Sequence, residues 1–395
     1  MSKPVLRILK FPLYLVLFLL FVFITYIAYG YFVSEIYDFP EPKPFTGDRL
    51  YNPYDNLYPH WYKANFHAHS YAWGGLTNGK QTEEEVIQKY RQENYDLIYL
   101  SNYHKIYLTY PPGNPSSLSV YEHGYNTTKA HRLVFGAESP SYFDIPIYLN
   151  TSAKQYLINE LKKDSKMLAI AHPAFHNGHT PHELRYLSGY DLMEVLNHYR
   201  VSDVYWDSAL SSGKAVWLIS DDDTHDINDP VETGVCWTLV NSPDKNADDI
   251  MNSLKTGKAV GLKGKNFENP LILESVTIDS MTVNYKFNMP ANIKLIGDNG
   301  IVKAESGNSD SISYTFKPED TYLRAVVNTP DSVSFLYLNP VIRYDGGAPP
   351  SNPFTAKVNY FQSYLIRVLI LIPYLLLIYF IYRKIRNKKR KNSYI

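Results

Sequence analysis

His67-Ala68-His69 closes the short segment Tyr62-Lys63-Ala64-Asn65-Phe66, and three further segments of the chain end in the same manner. Glu138 follows Leu133-Val134-Phe135-Gly136-Ala137, His172-Pro173 follows Met167-Leu168-Ala169-Ile170-Ala171, and Asp223-Thr224-His225 comes just after Val216-Trp217-Leu218-Ile219-Ser220. Strand-like runs that each end in imidazole or carboxylate imply a metal site at the carboxyl end of a barrel or sheet, where α/β enzymes gather their reactive groups. Histidine together with carboxylate suits Zn, Mn or Fe rather than Ca. Alternation along a strand leaves His67 and His69 on one face, able to chelate one ion, and Asp223 and His225 share that spacing. Glu138 fits a carboxylate bridging two ions, and Pro173 fixes the backbone beside His172. Since no G-x-S-x-G-like serine or cysteine nucleophile motif stands out, attack by water activated on a metal is the favoured chemistry.

Positioning these residues requires alternating strands and helices, and the sequence supplies them. Lys63–His69, Leu97–Leu100, Leu168–Ala171, Asp191–Leu196 and Ala215–Ser220 read as strands. Helices are expected over Thr82 to Glu93, where Thr82 and Glu85 stand at capping-box spacing, and over Ser152–Lys163, Asp203–Ser211 and Ala247–Thr256. The rhythm argues for a mostly parallel barrel or sheet. Residues 107–129 contain Pro111-Pro112-Gly113-Asn114-Pro115 and no periodicity, and read as a loop long enough to be a lid or binding element. After Lys263 only short strand-like runs follow, split by turns such as Gly297-Asp298-Asn299-Gly300, which points to a small β-sandwich-like domain.

Two apolar stretches flank this region. Residues 11–33 are long enough to cross a ~30 Å hydrocarbon core, as are residues 363–382, and the second is followed by Arg383, Lys384, Arg386, Lys388, Lys389, Arg390 and Lys391. With Lys3, Arg7 and Lys10 before the first span and Glu35, Asp38 and Glu41 after it, the positive-inside rule puts both termini in the cytoplasm and the intervening region outside. Arg367 can snorkel from the outer end of the second span, and a membrane helix absorbs Pro373. A cleaved signal peptide is the competing reading of the first span, opposed by the apolar run continuing through Tyr31, Phe32 and Val33.

The organisation expected is therefore a cytoplasmic N-terminus (1–10), a membrane helix (11–33), a linker (34–60), a metal-dependent domain (61–262), a β domain (263–345), a linker (346–362), a second membrane helix (363–382) and a basic cytoplasmic tail (383–395). A formal net charge of +0 removes any global electrostatic case for nucleic acid, and the basic tail reads as a topology determinant touching anionic lipid. A single cysteine, Cys236, excludes an intrachain disulfide and a cysteine-based metal cage.

Taken in order, His67-Ala68-His69, Val134-Phe135-Gly136-Ala137-Glu138, His172-Pro173 and Ser220-Asp221-Asp222-Asp223-Thr224-His225 resemble the motifs of the polymerase and histidinol phosphatase (PHP) superfamily. Tyr322-Leu323-Arg324-Ala325-Val326 with Asn339-Pro340 further resembles the tail of its CehA/McbA-like metallohydrolases. The resemblance implies a distorted (β/α)7 barrel followed by a small all-β domain, and a metal set of His67, His69, His104, Glu138, His172, Asp223 and His225, all but His104 also catalytic. The sequence departs from the pattern at Asn65, at Tyr71-Ala72-Trp73-Gly74-Gly75 and at Ser101-Asn102-Tyr103-His104. Lost carboxylates at these points imply one or two ions rather than three. The function expected is a membrane-anchored phosphoesterase with a small-molecule or ester substrate. Alternatives are a catalytically degenerate binding or envelope module, and a hydrolase of carbamates or carboxylic esters.

Overall fold

Capping, charge placement and apolar spacing explain the local elements well. In the computed structural model, which describes residues 3–264, 271–330 and 334–392, the helix Glu83–Gln92 opens on a complete capping box between Thr82 and Glu85. Its acidic first turn and basic last turn match the helix dipole, and Val86, Ile87 and Tyr90 form the buried face. Thr151–Lys163 is capped by Asn150 and Ala247–Lys255 by Asn246.

A mixed five-stranded sheet runs in the order Val120–His123, Arg132–Phe135, Met167–Ile170, Leu192–Asn197, Trp217–Asp221. Every one of these strand residues is buried, including the polar Glu122, Arg132, Glu194 and Asp221 set among apolar neighbours. The last two junctions are parallel, but Val120–His123 with Arg132–Phe135, and Arg132–Phe135 with Met167–Ile170, pair antiparallel. The expectation of a mostly parallel sheet is corrected here, as is the reading of residues 107–129 as loop throughout, because a buried strand lies inside them.

The eleven-stranded sheet carries Trp61–Asn65, paired in parallel with Leu97–Ile98 and antiparallel with Cys236–Asn241. Beyond Cys236–Asn241 it continues through Ala259–Lys263, Phe335–Leu338, Tyr322–Asn328, Thr282–Gly297 and Leu273–Asp279. The strands from Leu273 to Tyr344 thus extend this same sheet. Thr282–Gly297 and Ile301–Thr315 form a long hairpin whose turn places Asn299 at φ 58°. Arg324 locks this region to the helix Asp203–Leu210 through two 2.7 Å bonds to the Asp207 carboxylate. Neither large sheet closes on itself, yet single parallel bridges at Ala68–Thr224 and Tyr103–Glu122 tie them together at one end.

Two helices, Lys3–Val33 and Tyr360–Asn392, are long and apolar enough to cross a membrane over Phe11–Val33 and Tyr360–Lys384. Their inner ends meet where Tyr37–Asp38 pairs antiparallel with Lys357–Val358. Arg367 donates from Nε to the Phe32 carbonyl at 2.9 Å, satisfying one of the acceptors left over at a helix C-terminus. Met1 and Ser2 of the N-terminal segment and the last three residues of the basic tail lie outside the described residues.

Candidate metal centre

The tied end of the two sheets is where the chemistry collects. Asp223 N donates to the His67 carbonyl at 2.8 Å and His69 N to the Thr224 carbonyl at 2.9 Å, so the two H/D-x-H segments lie zipped side by side. Beneath them, Asp221 accepts from Phe66 N at 2.7 Å, and Asp222 takes the backbone N–H groups of Gly234, Val235 and Cys236 plus the Tyr90 hydroxyl. Asp221 and Asp222 therefore brace the loop. His172 at φ 25° and Asp223 at φ 53° hold backbone conformations unfavourable to non-glycine residues, strain of the sort stored at functional sites.

Four buried atoms converge without any hydrogen bond: His67 Nε2, His69 Nε2, Glu122 Oε2 and Asp223 Oδ1. His67 Nε2 stands 3.1 Å from Asp223 Oδ1 and 3.4 Å from Glu122 Oε2, while His69 Nε2 stands 3.2 and 3.1 Å from the same two oxygens. A tetrahedron with metal–ligand bonds of ~2.0–2.1 Å has edges of about 3.3 Å, so the spacing and donor chemistry both fit a divalent ion. Glu122 Oε1 faces the other way, 2.5 Å from His131 Nδ1 and 3.1 Å from His172 Nε2, which makes Glu122 the bridge to a second group of ligands. Glu194 accepts from His67 Nδ1 at 3.1 Å, fixing the tautomer that aims the Nε2 lone pair inward.

Charge in the cluster is balanced internally. Burial pushes the carboxyl of Asp223 upward, but His67, His69 and His172 in their protonated forms outweigh it and hold it far below the usual range, positive charge that a bound divalent ion would supply in place of their protons. Glu122 is likewise held low against its burial, chiefly by His131 and His67. Burial, followed by His69, drives His225 down to about 3, leaving a neutral ring that stacks on His69 at 4.3 Å. An open cleft of about 540 Å³ leads to the cluster, lined by Leu76, Tyr103, Tyr125, Lys129, His131, His172, Asp223 and His225 among others.

The structure gathers His67, His69, His172 and Asp223 in the cluster and puts His225 against it. Glu138 and His104 fall elsewhere. Glu138 is exposed and belongs to none of the ligand groups among the described residues. Its strand, Arg132–Phe135, runs antiparallel to both neighbours, so the carboxyl end points away from the site and the amino end delivers His131 instead. His104 spends both ring nitrogens on backbone, donating from Nδ1 to the Ser141 carbonyl at 2.6 Å and accepting from Gly124 N at Nε2 at 3.1 Å. Asn65 and Asn102 act as clamps: Asn65 accepts from Asp222 N, and Asn102 grips Ser70 N and Oγ.

Sequence reasoning missed Glu122, His131 and Glu194. The first lay inside the presumed loop, although Val120-Tyr121-Glu122-His123 is a β-prone run, and an acid within the apolar strand Leu192–Asn197 is itself a sign of a paired buried charge.

Fold and site together define a mixed α/β protein with a buried His/Glu/Asp group able to bind metal. No known protein family matches the chain, and no curated protein matches it. Among solved structures it is similar to a two-domain protein from Bacteroides vulgatus containing a predicted PHP-like metal-dependent phosphoesterase. That likeness has a TM-score of 0.40 at 13% sequence identity and covers 81% of this chain and 99% of that one. A likeness this distant carries no argument; the functional reading rests on the residues of the site.

Proposed function

We propose that this chain is a membrane-anchored, divalent-metal-dependent hydrolase of the PHP type that cleaves a phosphoester on the extracytoplasmic face. The observation that carries the proposal is the convergence of His67 Nε2, His69 Nε2, Glu122 Oε2 and Asp223 Oδ1 at tetrahedral spacing, none of them hydrogen-bonded among the described residues. Supporting it, the seven strands from Trp61 to Asp221 follow one another as a ring joined at the bridges Ala68–Thr224 and Tyr103–Glu122, the arrangement of a distorted barrel. His67, His69, Glu122 and Asp223 would hold one ion, and Glu122 with His131 and His172 would hold a second. A bound divalent ion supplies a nucleophile at neutral pH by acidifying water and offsets charge developing on phosphate oxygens. Glu194 orients His67, and His225 walls the cleft. Lys129, exposed on the cleft lining with no ion pair among the described residues, meets the anionic group of the substrate.

The test is metal content by mass spectrometry on the purified full chain, beside Asp223→Asn and His67→Ala, with turnover of a phosphomonoester and a phosphodiester in the same samples. One to two equivalents of Mn, Zn or Fe, lost together with turnover in the variants, is the expected result. Metal without phosphoester turnover would favour a carbamate or carboxylic ester substrate or a binding module, a reading motivated by Asn65 and Asn102 clamping backbone at positions where the family pattern has acids. Folded protein that takes up no metal would sink the site.

A further inference from the structure

One wall of the metal cleft is physically continuous with the first apolar helix. Tyr125 lines the cleft, and its hydroxyl meets that of Tyr26, a residue within the apolar span Phe11–Val33. The segment after Asp144 leans on the same helix. Ile145 packs where any side chain at Gly30 would stand, the Tyr31 hydroxyl donates to the Tyr148 carbonyl, and the Phe143 ring meets Tyr29 edge-on at 6.4 Å. Tyr26 precedes Val33 by seven residues, about 10 Å along a helix at 1.5 Å per residue. The rim of the cleft therefore descends beside the last turns of the span, to the depth where a bilayer holds its head groups, and Tyr26, Tyr29 and Tyr31 are the residue type that favours that layer.

Elsewhere the rim carries exposed apolar side chains beside the polar Thr77 and Asn78. Leu76 lines the cleft and is 89% exposed, and Tyr142 is 62% exposed with Trp73 packed edge-on against it at 6.3 Å. Ile147, whose carbonyl takes the Thr127 hydroxyl, and Tyr148, whose carbonyl takes the Tyr31 hydroxyl, are exposed on the segment that leans on the helix. Within this apolar margin the unpaired ammonium of Lys129 offers the counter-charge for an anion. A cleft for a freely diffusing phosphoester has no need of such a margin, whereas one fed from a bilayer needs both the acyl contact and the cation.

Building on the proposed hydrolase activity, we infer that the substrate is a lipid-borne phosphoester, taken into the cleft sideways from the leaflet that the apolar helices anchor. Water adds to phosphorus, the P–O bond to the leaving alcohol breaks, and that alcohol takes the proton. One product stays in the membrane and the other leaves with the solvent.

The experiment uses the full chain, metal-loaded, in phospholipid vesicles. Two esters with the same phosphate head group are compared, one with long acyl chains in the bilayer and one short-chain and soluble. Tyr142→Ser with Ile147→Ser is run alongside. In parallel, emission from Trp73, defined by difference from Trp73→Phe, is followed as brominated lipids are introduced. The expected results are turnover of the bilayer ester about tenfold faster than the soluble one, a drop of about tenfold for the bilayer ester alone in the double variant, and quenching of Trp73. Equal turnover of both esters, unaffected by the rim variant and with Trp73 unquenched, overturns the lipid inference while leaving the hydrolase standing. Quenching with no turnover of either ester overturns the phosphoesterase reading and the lipid phosphoester together, and leaves only the membrane contact.

Discussion

A carboxylate in the middle of an apolar strand is costly unless it is paired, and Glu194 has three partners: His67 Nδ1, His172 N and Asn197 Nδ2. It thereby sets the ring of His67 and the backbone of His172, and it stands within reach of both rings as part of a third buried group able to hold metal. Removing such an outer partner typically costs 10–100-fold in metal affinity. Glu194→Gln is accordingly expected to weaken the first ion by about 10–100-fold, read by competition against a chelator of known affinity, whereas Glu138→Gln leaves the titration unchanged. An affinity loss at Glu138 equal to that at Glu194 would contradict the placement of the site. The pattern of strand ends named His67, His69, His172 and Asp223, and the fold brings these four side chains together. Glu138, named in the same way, is not among them, because an apolar run carries no mark of which way its strand points.

At the scale of elements, the same limit shows in the hairpin of Val120–His123 and Arg132–Phe135. A four-residue strand within a Pro- and Gly-containing stretch has too few residues for a period, so pairing and burial define it instead. Helices were easier, since caps are local: Thr82 with Glu85 marks a start that needs no tertiary information. A second capping box, Thr180 with Glu183, opens the short helix Pro181–Leu184, and here the acid does more. Glu183 accepts from Lys154 at 2.5 Å, joining this helix to Thr151–Lys163, with His179 at 3.0 Å. Against its burial, His179 and Lys154 lower the Glu183 carboxyl to about 2. Because the folded value lies below the unfolded ~4.3, the pair contributes fully above that pH, and its contribution fades as pH falls through about 2. Glu183→Gln, which strands the Lys154 ammonium, is expected to cost about 3 kcal/mol near pH 7. The gap from wild type should stay level down to pH ~5 and narrow below it, as read from urea midpoints of tryptophan fluorescence in detergent. A gap that widens on acidification would contradict the pairing.

At the scale of the whole molecule, the two apolar helices act as one device. Each alone could be a leader or a core helix by length and composition, but Tyr37–Asp38 paired with Lys357–Val358, Arg367 bound to the Phe32 carbonyl and Tyr374 meeting Phe21 edge-on at 6.1 Å join them into an antiparallel pair. Cleavage near Ala28 would discard the part of the first helix that receives the Tyr374 ring and the Tyr125 hydroxyl. None of this pairing was readable from sequence, where the spans lie more than three hundred residues apart and share no pattern beyond hydropathy. On the proposed reading that both helices cross a membrane, an antiparallel pair would put both outer ends on one side and the domain on the other, and the basic residues after Tyr382 would favour the cytoplasm for those ends. Cys236, the chain's one cysteine, is fully buried, so introduced thiols can be read against a low background. With an impermeant maleimide on intact cells, Asn114→Cys, exposed on the domain, is expected to label fully. Asn387→Cys, beyond the second span, is expected to label only after permeabilisation. Labelling of both sites on intact cells would mean that only one span crosses, and the reverse pattern would turn the domain, and its metal cleft, toward the cytoplasm.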